Sequence, residues 1–258
     1  MEDLRSLTGV SPTGFGELLA SRGLSPVWTV ESEASGLAPE ATTVLALRYE
    51  DGVVMLGDRQ ATEGYSVAHR EMQKVFEADK YSGVAVSGTA GLALEMIRLF
   101  HTELEHYEKI EGTLLSLEGK ATFLARMVRQ QLPLAMQGLV VVPLFAGYDR
   151  RAEAGRLYTF DVVGGRYEET HYGATGSGAR EAKSFLRTSP TTSLTEDAAL
   201  ALAMDALVFA AEEDVATAGP DVRRGIFPTL IVIDEEGYRD IEEGQIAAYA
   251  QASLDRLT

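Results

Sequence analysis

Two short apolar runs joined by a tight turn constrain the fold of this chain more than any other stretch. The first run spans residues 44–49, the second spans residues 53–56, and the Glu-Asp-Gly turn at 50–52 separates them. Apolar runs of this length, bounded by Gly and Asp, are typical of β-strands. The pattern therefore predicts that two successive strands of a sheet begin this part of the chain.

A threonine precedes the first predicted strand, and two charged residues follow it at set distances. Asp58 lies 16 positions and Lys74 lies 32 positions after Thr42. Threonine is a poor nucleophile unless a base takes its proton, and a free α-amino group on the same residue can be that base. A lysine and an aspartate nearby would tune such a pair. Taken alone, however, a threonine here is more often an ordinary strand residue.

Helical periodicity appears in the middle and at the end of the chain. Ala93, Ile97, Phe100 and Leu104 recur at i, i+4, i+7 and i+11, which places them on one face of a helix. Three more helices are predicted, at residues 120–136, 196–211 and 243–257. In the first of these, Pro133 should distort or end the helix.

Further apolar and β-branched runs predict the remaining strands. They lie at residues 83–87, 139–148, 156–162, 167–172 and 226–234. Gly164-Gly165 predicts a hairpin between two of them. Blocks of strands that alternate with blocks of helices favour stacked layers over βαβ repeats.

Several ordered blocks of the sequence resemble the β-subunit of the 20S proteasome, in its actinobacterial form. The resemblance covers nearly everything from Thr42 to about Asp234. The matching blocks are residues 42–47, 57–62, 74–76, 87–91, 103–112, 135–138, 176–178, 219–221 and 224–229. A lone threonine pair is uninformative, whereas this many blocks in order and at family spacing are highly specific.

The resemblance implies both a fold and a domain organisation. The family fold is the α+β, four-layer αββα sandwich of N-terminal nucleophile hydrolases. Residues 1–41 are expected to be a propeptide, and residues 42–258 a proteasome β-type catalytic domain. Self-cleavage between Ala41 and Thr42 would expose the threonine amine. The leader mixes Gly, Ser, Pro and Thr with short apolar pieces, which indicates loose order.

The resemblance also assigns roles to seven candidate catalytic residues. They are the nucleophile Thr42, its charged neighbours Asp58 and Lys74, the oxyanion donor Gly88, and an outer hydrogen-bonding group of Ser177, Asp214 and Thr217. Each one alone has a simpler explanation, such as a turn cap, a surface lysine, a loop hydroxyl or a solvated acidic run. Only their joint order favours catalysis.

Substrate binding is assigned in the same way to residues beside Thr42. They are Thr62 and six apolar residues, Ala61, Met72, Phe76, Val86, Ala90 and Leu94. The six apolar side chains offer no partner to a charged substrate side chain, and burying an unpaired charge costs on the order of several kcal/mol. We therefore expect cleavage after large apolar residues.

Two positions depart from the family pattern and keep other functions open. Ala41 stands where the family has glycine, and Ala218-Gly219 stands where it has a glycine pair. A Cβ at position 41 restricts the backbone at the bond to be cleaved. One alternative is therefore a catalytically silent, structural β-type ring subunit. Another is an unrelated N-terminal nucleophile amidohydrolase acting on a small amide, although the helical block at residues 93–109 favours the proteasome.

Composition excludes several other classes of function. The 258 residues carry a net charge of −16, from 39 acidic and 23 basic residues, which argues against binding to nucleic acid. The chain has no cysteine, so it has no disulfide, thiolate metal site or thiol nucleophile. The four histidines lack metal-ligand spacing, and neither a serine-hydrolase elbow nor a phosphate loop is present. We expect no cofactor and no metal.

Location and partners follow from the remaining patterns. We find neither a signal peptide nor an apolar run of roughly 20 residues, so we expect a cytoplasmic protein without a membrane span. The resemblance implies proteasome α-subunits and other β-subunits as partners in stacked seven-membered rings. It also implies a ring ATPase activator and pupylated, unfolded proteins as substrates. The sequence does not identify the ATPase, the other β-type subunits or the exact cleavage preference.

Overall fold

The structure, a computed structural model, describes residues 42–63 and 66–257, with the backbone alone described at 62–63 and 66–67. The strands of this part are β1 (Thr43–Tyr49), β2 (Gly52–Gly57), β3 (Ala61–Glu63), β4 (Ser66–His69), β5 (Val75–Asp79), β6 (Ser82–Gly88), β7 (Val141–Asp149), β8 (Ala154–Phe160), β9 (Arg166–Glu169), β10 (Tyr172–Gly176), β11 (Thr229–Ile233) and β12 (Tyr238–Asp240). The helices are α1 (Ala90–Glu111), α2 (Leu117–Gln130), α3 (Leu132–Ala135), α4 (Ala179–Thr188), α5 (Glu196–Glu213) and α6 (Glu243–Leu257). None of these helices is long and apolar enough to cross a membrane.

Ten of the strands form two five-stranded antiparallel sheets. The first sheet has the order β10-β1-β2-β11-β12 and the second has the order β5-β6-β7-β8-β9, while β3 and β4 form a separate hairpin. Within the first sheet, Thr43 lies opposite Gly176 of β10, and Val44 lies opposite Gly57 of β2. This register brings the start of β1 next to the ends of two other strands.

Three hydrophobic clusters lie between the layers of sheets and helices. In β1, Leu45 and Leu47 pack with α4, α5 and α6, whereas Val44 and Ala46 pack against the second sheet. The opposite face of the second sheet packs against α1 and α2. The α+β, four-layer αββα arrangement predicted from the sequence is therefore confirmed. Because both faces of each sheet are covered, the central strands read as nearly continuous apolar runs.

Several predicted elements are confirmed by the structure. The four periodic residues of α1 are all buried on one face. The last two predicted helices correspond to α5 and α6, and Gly164-Gly165 lies in the turn between the paired strands β8 and β9.

Three predicted elements were wrong in their limits. The strand predicted at residues 226–234 is the shorter β11, and Ile226 lies before it, in an isolated bridge with Asp221. The helix predicted at residues 120–136 is two helices, since α2 ends at Gln130 and α3 follows. Pro133 lies in the first turn of α3, where its missing N–H costs no helical hydrogen bond. The strand predicted at 167–172 is also two strands, β9 and β10, which belong to different sheets. Sequence patterns also missed α4 entirely.

Candidate active site

A buried ion pair lies where β2 ends. The Lys74 ammonium donates to Asp58 Oδ1 at 2.7 Å, and the two side chains are 1% and 0% exposed. Lys74 also donates to the Gln60 carbonyl. Asp58 accepts further hydrogen bonds from the backbone N–H groups of Thr43 at 2.8 Å, Gln60 at 3.2 Å and Ala218 at 3.3 Å. A buried pair is stable only when its remaining hydrogen-bonding groups are satisfied in this way.

The same contacts act on the pKa of Asp58 and hold the pair beside the start of β1. Burial raises the pKa of the Asp58 carboxyl above its ordinary value, while the Lys74 ammonium and the N–H groups of Thr43 and Ala218 oppose that rise. Since Asp58 Oδ1 bonds both to the Lys74 ammonium and to the N–H of Thr43, the charge of Lys74 is held beside the peptide bond that joins Thr42 to Thr43.

A second polar cluster forms just after α5 ends. Thr217 Oγ1 donates to Asp214 Oδ2 at 2.6 Å, and the Ser177 hydroxyl also hydrogen-bonds to this carboxyl. Burial alone would raise the pKa of Asp214, but the hydrogen bonds from Ser177, Thr217 and the N–H of Ala216 hold it below its ordinary value. The Asp214 carboxylate is therefore stabilised in its ionised form.

Thr43 joins the two clusters, and sequence reasoning assigned it no role. Its Oγ1 accepts from the Gly178 N–H at 2.9 Å and lies 2.6 Å from Thr217 Oγ1. Since the one hydroxyl proton of Thr217 goes to Asp214, Thr43 must be the donor to Thr217. The one available signal was strand alternation, which directs Thr43 to the helix side of the first sheet, together with Leu45.

Thr42 itself is buried and held at its backbone by the end of β10. Its carbonyl accepts from the Ser177 N–H at 2.9 Å. Gly176 has φ +105°, and a Cβ there would overlap the Thr42 carbonyl oxygen, so only glycine allows this close approach. Strand alternation directs the Thr42 side chain toward the second sheet, on the same side as Val44.

The end of β6 brings another glycine to this region of the second sheet. Gly88 has φ +107°, and a Cβ there would overlap the carbonyl of Val140. The chain turns here into α1, because the next residue, Thr89, is the N-cap of that helix. The backbone at Gly88 therefore follows a course that no side-chain-bearing residue adopts without strain.

A cavity lies beside these elements. Met72, Ala90 and Leu94 line it together with Ile226 and residues 68–71, so the cavity also borders the charged side chains of Arg70 and Glu71.

No group of three or more His, Asp or Glu side chains within residues 42–63 and 66–257 is placed to hold a metal.

Comparison with known proteins decides the family. A family profile described as "Proteasome subunit" matches residues 39–222. A "Proteasome subunit beta" of Acidimicrobium ferrooxidans is 57% identical over 212 residues, which cover 82% of this chain and 78% of that protein. Proteins of the same description from Streptomyces griseus and Jonesia denitrificans are 52% and 50% identical over 219 residues, which cover 85% of this chain and 78% and 72% of theirs. The chain belongs to the proteasome β-subunit family. The resemblance to the actinobacterial type is thereby confirmed.

Most residues that the resemblance assigned to the site of a proteasome β-subunit come together in the fold. The six catalytic candidates other than Gly88 lie in the two joined clusters or directly beside them, although their catalytic roles stay predictions. Of the predicted substrate-binding residues, Ala61 is buried, and Phe76 and Val86 pack in the cluster beneath α1. Ala41 and the side chain of Thr62 lie outside the described residues.

Proposed function

We propose that this chain is a threonine-type endopeptidase subunit of a proteasome core particle. Residues 1–41 are then a propeptide, and self-cleavage after Ala41 exposes the amine of Thr42 as the catalytic base in the domain of residues 42–258. The observation that carries the proposal is the buried Asp58–Lys74 pair, which is bonded to the N–H of Thr43. A lysine held beside an N-terminal threonine supplies the positive field that lowers the pKa of the threonine hydroxyl and so activates it as a nucleophile.

The proposed reaction proceeds through an acyl ester. Thr42 Oγ attacks the peptide carbonyl while the free amine of Thr42 takes its proton through water. Lys74, fixed by Asp58, keeps the local field positive, and the N–H of Gly88 stabilises the oxyanion. The C–N bond then breaks, the proton passes to the leaving amine, and water hydrolyses the ester to regenerate Thr42. The cluster of Ser177, Asp214 and Thr217 supports this arrangement from the opposite side of β1.

A catalytically silent ring subunit is the second candidate, and Ala41 is the residue that favours it. The Cβ of Ala41 narrows the backbone conformations open to the scissile bond. Turnover of a fluorogenic peptide by the purified assembly separates the two candidates. Turnover that is lost when Thr42 is replaced supports the peptidase, and an assembled but inactive wild-type particle supports the silent subunit.

The cellular setting is part of the same proposal. We infer a cytoplasmic particle fed by a ring ATPase with unfolded, pupylated proteins. The support is the membership of the family and the identity of 50–57% to actinobacterial relatives.

Assembly with a different chain is the first expected result. Co-expressed with the α-subunit of its own organism, the chain should form particles of stacked seven-membered rings. The exposed apolar side chains of Leu99, Tyr107 and Ile110 on α1 offer surface that such contacts can bury. Native mass spectrometry measures the mass. A chain that stays monomeric with the α-subunit present contradicts the proposal, and the chain expressed alone is the control.

A broad preference for large apolar residues is the second expected result. Met72, Ala90 and Leu94 give the cavity an apolar wall, while the solvent-exposed Arg70 and Glu71 at its border carry opposite charges and favour neither sign of substrate charge. An apolar wall discriminates by roughly 1–3 kcal/mol per methylene-sized change. A panel of fluorogenic peptides that differ only before the scissile bond tests this. Leu, Phe and Tyr should give faster turnover than Arg or Glu, and the reverse order would overturn the pocket assignment.

A further inference from the structure

We propose that Ile226 is a specificity-determining residue of the substrate cavity, an inference that rests on the proposed peptidase function. Ile226 lines the same cavity as Met72, Ala90 and Leu94. It reaches the cavity from a segment more than 120 residues further along the chain than any of them. The three others lie near the start of the domain, so Ile226 is the residue among these four that the segment after α5 contributes to the cavity.

The cavity is adjacent to the catalytic candidates through several short chain segments. Met72 lies two residues before Lys74, and its N–H donates to the carbonyl of Arg59, the residue after Asp58. Ala90 lies two residues after Gly88 and begins α1. The segments that line the cavity are therefore continuous with those that carry Asp58, Lys74 and Gly88.

A closed loop fixes the position of Ile226. The N–H of Ile226 donates to the carbonyl of Asp221 at 3.0 Å, and the N–H of Asp221 donates to the carbonyl of Ile226 at 2.8 Å. The Arg224 guanidinium and N–H both bond to the Asp221 carboxylate inside this loop. Gly225 takes the left-handed conformation, φ +68°, that the turn requires. Ile226 is thus held at a defined place, as a wall of a selective pocket must be.

The same segment also reaches the catalytic clusters. Asp214 and Thr217 lie a few residues before the loop, and the N–H of Ala218 donates to Asp58 at 3.3 Å. One stretch of chain, residues 214–226, therefore contacts the ion pair at one end and the cavity at the other. The segment that carries Ile226 is thus anchored at the catalytic candidates.

The test changes the volume of this side chain in the full-length chain, assembled with its α-subunit. Ile226→Trp should fill the cavity, and Ile226→Ala should enlarge it. For peptides with Tyr or Ala before the scissile bond, the ratio of kcat/KM for Tyr to that for Ala should fall by about tenfold or more in Ile226→Trp. The ratio should rise severalfold in Ile226→Ala. Val222→Ala, in the same loop but 46% exposed and away from the cavity, is the matched control and should leave the ratio unchanged.

The outcomes separate the two proposals. A wild-type particle that hydrolyses no peptide refutes the proposed function. An active wild type whose Ile226 variants assemble normally and keep the Tyr-to-Ala ratio within twofold refutes the role of Ile226 alone. Should Ile226→Trp fail to assemble, Ile226→Ala and the nearly isosteric Ile226→Met decide the question. Ile226→Met should stay close to wild type while Ile226→Ala shifts the ratio, and no shift in Ile226→Ala counts against the proposal.

Discussion

Replacing Thr42 with alanine is expected to abolish peptide hydrolysis and to leave residues 1–41 attached in every subunit. The change removes the only hydroxyl that the proposed mechanism uses as nucleophile, both for the leader and for substrate, so turnover should fall by at least about a thousandfold. Intact-mass measurement of the purified particle reports the leader, and a fluorogenic peptide with Leu before the scissile bond reports turnover.

Two companion variants make this experiment decisive. Thr42→Ser keeps a hydroxyl and an amine, so it should retain cleavage of the leader and part of the turnover. Ala41→Gly should speed removal of the leader, because glycine widens the backbone conformations open to the scissile bond. A leader removed at the same bond in Thr42→Ala would show that another protease does the cutting.

Breaking the buried ion pair is expected to cost both stability and activity. Lys74→Met leaves the Asp58 carboxylate buried without its counter-ion. Asp58→Asn replaces the carboxylate with a neutral amide, which leaves the Lys74 ammonium without a counter-ion and offers the Thr43 N–H at best a weaker acceptor. Loss of one partner from a buried pair typically lowers the free energy of unfolding by about 3–5 kcal/mol. We also expect turnover of the same peptide to fall by at least about a hundredfold in each variant. Thermal unfolding, recorded on a separate sample, measures the loss of stability.

The double variant Asp58→Asn/Lys74→Met separates the structural from the catalytic contribution of the pair. With no net charge left in the interior, it should regain part of the stability that each single variant loses. It should nevertheless stay inactive, because the positive field beside Thr42 is gone. A double variant that is both stable and active would show that the pair serves only the fold and would remove the main support for the proposed function.

The sequence by itself determined the elements whose periodicity is local. The strands at residues 44–56, the buried face of α1 and the helices α5 and α6 all follow from apolar spacing within a single segment, because each segment buries one stripe or alternates along its own length. The ordered blocks determined the family as well, and through the family the layered fold. Asp58 and Lys74 could be singled out because their spacing from Thr42 can be read directly from the sequence.

Only the tertiary structure decided how distant segments meet around Thr42. The N–H of Ala218 bonds to Asp58 across 160 residues, and a backbone donor leaves no trace in the identity of the side chain that carries it. Thr43 reads as an ordinary strand residue until Gly178 and Thr217 are seen to bond to its hydroxyl. Likewise Ile226 becomes part of the cavity only because a closed loop carries it there. Contacts of this kind are set by the packing of whole layers, which no local pattern encodes.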